Sequence, residues 1–309
     1  MNDIKYILIC GAGMMGKNIA FVMASNPAYQ VGVYDLYETD VPGGIRANTR
    51  QLIAKGALTE EELDARLSRI SFTTDLDSEL VSRADLVIEA VFEDMKIKRE
   101  TFAKLEARCR PDTIFCTNSS VMSPSEISAE LQHRERFVGT HFWNPGHLIP
   151  LVEVVKSDAS SDETAQTVME VLSSAGKEPV LCKKDVPGFI ANRMQHALWR
   201  EAISIVERGI ADPATVDKAV RYSFGLRLPQ LGPMENADMV GTDLTYNIHD
   251  YILKDLEDSH EPSPLLTRLR DEGKLGFKTG EGFQTWTPQQ IEQSKEALND
   301  YLVDMLYGK

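Results

Sequence analysis

The chain has 309 residues, a length that fits two domains, and its 42% apolar and 26% charged residues describe a globular protein with a substantial core. A formal net charge of −14 disfavours nucleic acid or an anionic membrane as a partner, because binding phosphate requires a basic surface. No apolar run approaches the length of a membrane span and no secretory leader is read ahead of the first strand-like run, so a cytoplasmic protein is expected.

Residues 5–10 form that strand-like run, and Gly11-Ala12-Gly13-Met14-Met15-Gly16 follows without a break. A helical stretch at 17–25 leads to a second apolar run, Val31-Gly32-Val33-Tyr34, which ends in Asp35, nineteen residues past Gly16. Strand, glycine turn, helix, strand and acid is the order of a dinucleotide-binding unit. Gly11 permits the tight turn, Gly13 lets the backbone approach a pyrophosphate, and Gly16 lets the helix pack on the strand. The helix N-terminus offers N–H groups and a positive dipole end to the phosphates. Asp35 can accept both ribose hydroxyls of adenosine and would repel a 2′-phosphate, so the expected cofactor is NAD.

After Asp35, two polar helices are expected at 45–55 and from the capping-box sequence Thr59-Glu60-Glu61-Glu62 to about Arg69. This surface excursion carries Arg46, Arg50, Lys55, Arg66 and Arg69, either as a solvated face or as groups that greet an anionic substrate tail. Strands are expected at 84–91, 113–117, 137–142, 151–155 and 179–182, with helices at 95–108, just after Ser123, and from Ser161 to Gly176. Strands alternating with helices imply a Rossmann-type doubly wound α/β sheet, with room for antiparallel additions at one edge. From about Asp185 the pattern turns helical. Pro187 opens a long helix stopped by Gly209, and Asp212-Pro213, Ser263-Pro264 and Thr287-Pro288 are three further cap-plus-proline starts. The expected division is therefore a dinucleotide-binding domain at 1–184 and an all-helical domain at 185–309.

Four polar groups fall at strand ends or just past the domain junction: Asn118-Ser119-Ser120, His141, Glu153 and Asn192. Glu153 stands in the otherwise apolar run Leu151-Val152-Glu153-Val154-Val155, where an unpaired carboxylate would cost several kcal/mol and so demands a partner. A histidine on a neighbouring strand would serve, and the carboxylate would fix its tautomer and raise its basicity. Read from spacing alone, His141 is either that base or a satisfied core histidine, and Asn192 is either a site residue or a helix cap. His141 and His147 lack a third ligand, so no metal is expected, and Ser119-Ser120 stands in no nucleophile elbow. Cys10, Cys109, Cys116 and Cys182 show no CxxC spacing and read as free thiols of a reducing compartment.

Seven stretches together resemble the 3-hydroxyacyl-CoA dehydrogenase family over nearly the whole chain: GAGMMG at Gly11, VIEAVFEDMKIK ending at Lys98, TNSS ending at Ser120, HFWNP from His141, PLVEVV around Glu153, DVPGFIANR ending at Arg193, and GFKTGEGF ending at Phe283. The resemblance implies that His141 is the general base and Glu153 its orienting acid, with Ser120 and Asn192 hydrogen-bonding the substrate oxygen. It also implies that Glu93, Lys98 and Asn144 contact NAD beside Gly11, Gly13, Met14, Met15, Gly16 and Asp35. A homodimer built through the helical domain is implied in the same way.

Trp143 stands where fatty-acid members of the family carry Phe, and Gly146-His147-Leu148-Ile149-Pro150 replaces a Val-Pro-Val-Met-Lys-like stretch. These features are more similar to the branch acting on free hydroxy acids, typified by L-gulonate dehydrogenase (lambda-crystallin) and L-carnitine dehydrogenase, whereas the GFKTGEGF tail is similar to the acyl-CoA branch. The favoured expectation is an NAD-dependent, short-chain 3-hydroxyacyl-CoA dehydrogenase of fatty acid metabolism. A dehydrogenase of a free small β-hydroxy acid is the alternative, and a non-catalytic crystallin-like protein is the third reading. Convergence of the 45–69 cations on a phosphate-sized site would discriminate the first two.

Overall fold

A computed structural model describes residues 4–308. The chain divides into two compact units: one runs to Ala191 and takes in the stretch from Leu298 onward, and the other is Asn192–Ala297.

The first unit is built on one eight-stranded sheet. Its strands are β1 (Tyr6–Cys10), β2 (Gln30–Tyr34), β3 (Ile70–Thr73), β4 (Leu86–Glu89), β5 (Ile114–Thr117), β6 (Phe137–Phe142), β7 (Leu151–Lys156) and β8 (Glu178–Cys182). Their order is β3-β2-β1-β4-β5-β6-β7-β8, parallel throughout except where β7 runs antiparallel to β6. This is the expected doubly wound sheet with its antiparallel addition, and the strand order reverses between β1 and β4. The period-two alternation of β1 fills both faces. Ile7 and Ile9 join one core cluster, while Leu8 and Cys10 join another with Phe102, Phe115 and Phe137.

The connecting helices are α1 (Met14–Met23), α2 (Val41–Ala54), α3 (Glu60–Leu67), α4 (Glu79–Ser82), α5 (Met95–Glu106), α6 (Pro124–Ile127) and α7 (Asp162–Ser174). The capping box read at Thr59 is formed, with Thr59 and Glu62 each bonding the other's backbone N–H. Strand β3 and the single turn α4 lie outside the sequence expectations. β3 is a four-residue edge strand, Ile-Ser-Phe-Thr, with half-exposed side chains and no apolar run to announce it.

The chain continues through α8 (Ala191–Glu207), α9 (Pro213–Arg221), α10 (Pro233–Val240), α11 (Thr242–Ile252), α12 (Pro264–Asp271) and α13 (Pro288–Tyr307). All three cap-plus-proline starts are real: Asp212, Ser263 and Thr287 accept from the N–H groups of Thr215, Leu266 and Gln290. Among the described residues of the second unit Ser204 alone is buried, while Leu226, Met234 and Tyr246 are 70%, 75% and 71% exposed.

The end of α13 departs from the expected division, which gave all of 185–309 to the helical domain. Val303, 2% exposed, joins the first unit's core, and Lys55, just past α2, pairs with Asp304 at 2.7 Å and Asp300 at 3.4 Å. An apolar side chain buried in the first unit and two carboxylates facing its lysine bring this helix end back to it.

Candidate active site

Backbone hydrogen bonds set the carboxyl ends of β1, β4, β5 and β6 in a row. Ala90 N–H donates to the Cys10 carbonyl, Asn118 N–H to the Glu89 carbonyl, and Phe142 N–H to the Asn118 side-chain oxygen at 2.9 Å. The glycine turn, the loop after β4, Asn118-Ser119-Ser120 and His141 therefore succeed one another along one edge of the sheet.

At the first of these ends Gly11 has φ +108°, and a Cβ there would meet the Ala90 carbonyl oxygen at 2.6 Å. A Cβ on Gly16 would lie 1.8 Å from the Gly11 carbonyl oxygen, so both glycines are required by packing. Gly13 is different, because a Cβ there would meet nothing within 4 Å. Gly13 is also the N-cap of α1, and no side chain caps that helix. Open space at uncapped N–H groups fits a dinucleotide pyrophosphate. Asp35 accepts from the Ala12 N–H at 2.6 Å and from the Tyr37 N–H at 3.1 Å, which fixes the acid beside the turn. Met14 is 57% exposed and Met15 half-buried.

The loop after β4 carries a buried ionic network. Lys98, 1% exposed, pairs with Glu89 at 2.8 Å and Glu93 at 3.2 Å. Glu89 also accepts from the Val91 N–H and the Thr117 hydroxyl, each at 2.7 Å, yet burial still holds its carboxyl above the usual range. Glu93 accepts from the Ser119 hydroxyl and, at 3.0 Å, from the Ser120 N–H. Burial pushes the Glu93 carboxyl up, but Ser119, Lys98 and the Ser120 N–H outweigh it and the carboxyl sits below its ordinary value. Glu93 thus ties the serine pair to Lys98, whose ammonium is itself enclosed.

His141 and Glu153 stand directly opposite each other in the antiparallel β6–β7 pair. His141 Nδ1 lies 2.8 Å from Glu153 Oε2. The Trp143 Nε1–H donates to the same oxygen at 3.2 Å, and the N–H groups of Ile190 and Ala191 donate to Oε1 at 2.9 Å each. Burial alone would raise the Glu153 carboxyl; the four donors hold it below the usual carboxylate range. An ionised glutamate at Nδ1 puts the ring proton there and leaves Nε2 as a base.

Two residues that sequence reasoning missed build this pair. Phe189 is a non-glycine residue at φ 51°, buried, with its ring 5.8 Å from that of His141. Its left-handed backbone directs the next two N–H groups onto Glu153. Trp143 entered the reading only as a departure from Phe, and the hydrogen bond it adds is one a phenyl ring has no atom to make. Of the remaining candidates, Asn144 is exposed in the turn after Trp143, and Asn192 opens the second unit in the first turn of α8. No cluster of three or more metal-ligating side chains occurs among the described residues.

Residues 6–186 match the family model of the 3-hydroxyacyl-CoA dehydrogenase NAD-binding domain, and residues 188–286 match that of its C-terminal domain. The chain belongs to the 3-hydroxyacyl-CoA dehydrogenase family. Like the family, it is an NAD-dependent oxidoreductase acting on a secondary alcohol carbon. It is 34% identical over 94% of its length to 93% of a 5-formyl-3-hydroxy-2-methylpyridine 4-carboxylate 5-dehydrogenase from Mesorhizobium japonicum. It is 37% identical over 91% of its length to 90% of the mitochondrial hydroxyacyl-coenzyme A dehydrogenase of Homo sapiens. A crystal structure of a 5-formyl-3-hydroxy-2-methylpyridine 4-carboxylic acid 5-dehydrogenase, described as an NAD+-dependent dismutase, superposes with a TM-score of 0.88 at 33% identity, covering 97% of this chain and 96% of that one. Residues 287–309, and with them α13, lie beyond the 3-hydroxyacyl-CoA dehydrogenase family model. No helix among the described residues is long and apolar enough to cross a membrane.

Proposed function

We propose that the chain interconverts a secondary alcohol and its ketone on a compact free carboxylic acid, with His141 as general base and Glu153 as its orienting acid. The observation that carries the chemistry is the 2.8 Å His141–Glu153 contact, in which the carboxylate is fully buried and held by three further donors. His141 takes the hydroxyl proton at Nε2, and Glu153 stabilises the imidazolium that results. Ser120 and Asn192 hydrogen-bond the substrate oxygen, following the family resemblance. NAD, when bound, accepts the hydride. Gly11, Gly13, Met14, Met15, Gly16, Asp35, Glu93 and Asn144 hold the cofactor, and Lys98 acts on it through Glu93, because its own ammonium is enclosed.

The free-acid reading is supported by the partners that three of the five cations at 45–69 already have. A CoA tail needs lysines and arginines free to meet phosphate. Of the five cations, Arg46 pairs with Asp64 and Glu60, Lys55 with Asp300 and Asp304, and the Arg69 guanidinium donates to the Ala24 carbonyl, while Arg50 and Arg66 make no ion pair among the described residues. Two of those acids come from α13. The Mesorhizobium relative, by its name, acts on a pyridine carboxylate, which is in keeping with a free acid. The second reading, a short-chain 3-hydroxyacyl-CoA, is favoured by the human relative.

A homodimer is part of the proposal, since the second unit leaves its large apolar side chains unburied and a second copy is the partner the family implies. The four free cysteines, three of them buried, suit the cytoplasm. The deciding experiment is NADH oxidation with acetoacetyl-CoA beside acetoacetate and 3-dehydrocarnitine, with free CoA as inhibitor. Turnover of a free acid with no CoA inhibition is expected. A kcat/KM for the thioester above both acids would transfer the same chemistry to the acyl-CoA substrate.

A further inference from the structure

The first unit contains a cavity of about 380 Å³ between α1, α2, the segment after β6, the start of β8 and the end of α13. Its apolar wall includes Phe21, Leu58, Leu148 and Leu306, and its polar groups are Arg66, His147, Lys177, Glu178 and Tyr307. Leu306 and Tyr307 lie beyond the family model.

The polar groups do not satisfy one another. Lys177 is buried and donates to the Gly146 and Ile149 carbonyls at 2.7 Å each, but pairs with no carboxylate among the described residues. Burial brings its ammonium down to about 8, so it still carries its charge at neutral pH. Arg66 is half-buried, with its guanidinium carbon 4.6 Å over the Phe21 ring; it makes no ion pair among the described residues, and Glu62, four residues earlier on α3, is the carboxylate that acts on its charge. His147 Nδ1 is buried without a hydrogen-bond partner. Burial first, and then the Lys177 charge, bring the ring down to about 4 against a favourable backbone contact at Asn48, so it is neutral. The opposing charge in the lining is Glu178, which is exposed. A buried ammonium with no carboxylate against it and a half-buried guanidinium that makes no ion pair, set around an apolar space, describe the complement of an amphipathic acid.

We propose that this cavity binds a small organic acid whose carboxylate lies against Arg66 and Lys177 and whose apolar body fills the space between Phe21, Leu58 and Leu306. The site is separate from the row of strand ends that carries His141, and it does not depend on the substrate proposed for that row.

The test is fluorescence titration of the full chain, saturated with NAD, with 6-hydroxy-2-naphthoate, which carries the carboxylate and the apolar body. One saturable site is expected. Arg66→Gln removes a charge-assisted contact and should weaken the probe by about tenfold or more. Ala57→Phe, which adds a ring to the lining, should weaken it by at least as much. NAD affinity measured on both variants reports that the first unit is folded, and should change less than about twofold. Equal probe affinity in wild type and in either NAD-binding variant, or no saturable binding, would overturn the proposal.

Discussion

Asp304 near the end of α13 holds the ammonium of Lys55, the residue that closes α2, at 2.7 Å. With Val303 buried beside it, this contact fastens the end of α13 to the excursion that carries Arg46, Arg50, Lys55, Arg66 and Arg69. The substrate proposal rests on that attachment. Val303→Ala should therefore destabilise the first unit by about 1–3 kcal/mol through lost burial and a residual cavity. Chemical denaturation followed by circular dichroism measures it, and a change within error would mean that the helix end is not docked.

Lys98 is the only described cation pairing with the buried Glu89. Lys98→Met leaves that carboxylate without its counter-charge and should cost about 3–5 kcal/mol, whereas Glu89→Gln with Lys98→Met should recover most of the loss. Thermal melts of the two single variants and the double variant give the coupling. Additive losses would contradict a paired network.

Asp35, proposed to take the adenosine ribose, accepts from the Ala12 N–H in the glycine turn. Asp35→Ala should weaken NAD and narrow its preference over NADP, since the repulsive charge and the turn's anchor go together. Dissociation constants for the two cofactors decide it. An unchanged ratio would remove Asp35 from ribose recognition.

His147 gives the protein an acid-sensitive site. Its ring is held down to about 4 in the folded chain, against 6.5 as its ordinary value, mainly by burial. The unfolded chain takes up a proton as pH falls below 6.5 while the folded chain resists until about 4, so stability is fully present above 6.5 and is lost across that window. The difference amounts to about 3 kcal/mol. His147→Leu should flatten the pH dependence of the melting temperature between those values, and an unchanged slope would contradict the assignment.

Much of this was legible in the sequence because each signal had a local cause. The glycine turn is fixed by the contacts of Gly11 and Gly16, and the helix starts at Asp212, Ser263 and Thr287 by side chains bonding N–H groups three residues on. Glu153 announced a partner because a carboxylate in an apolar strand is costly alone, and the register supplied His141. What stayed hidden depends on tertiary placement. The Phe189 backbone, the Trp143 donor and the enclosure of Lys98 depend on how strands and loops are brought together and not on any local pattern, and β3 is an edge strand with little apolar pattern. The return of α13 rests on one buried valine and a lysine some 250 residues earlier, roughly as counted along the chain.

The most direct test of the account is turnover by His141→Gln beside its NADH affinity, using whichever ketone the wild type reduces fastest. With the base gone and the glycine turn untouched, NADH binding should stay within about twofold while kcat falls by about 10²–10⁴-fold. Turnover within a few fold of wild type would remove His141, and the carboxylate that orients it, from the chemistry.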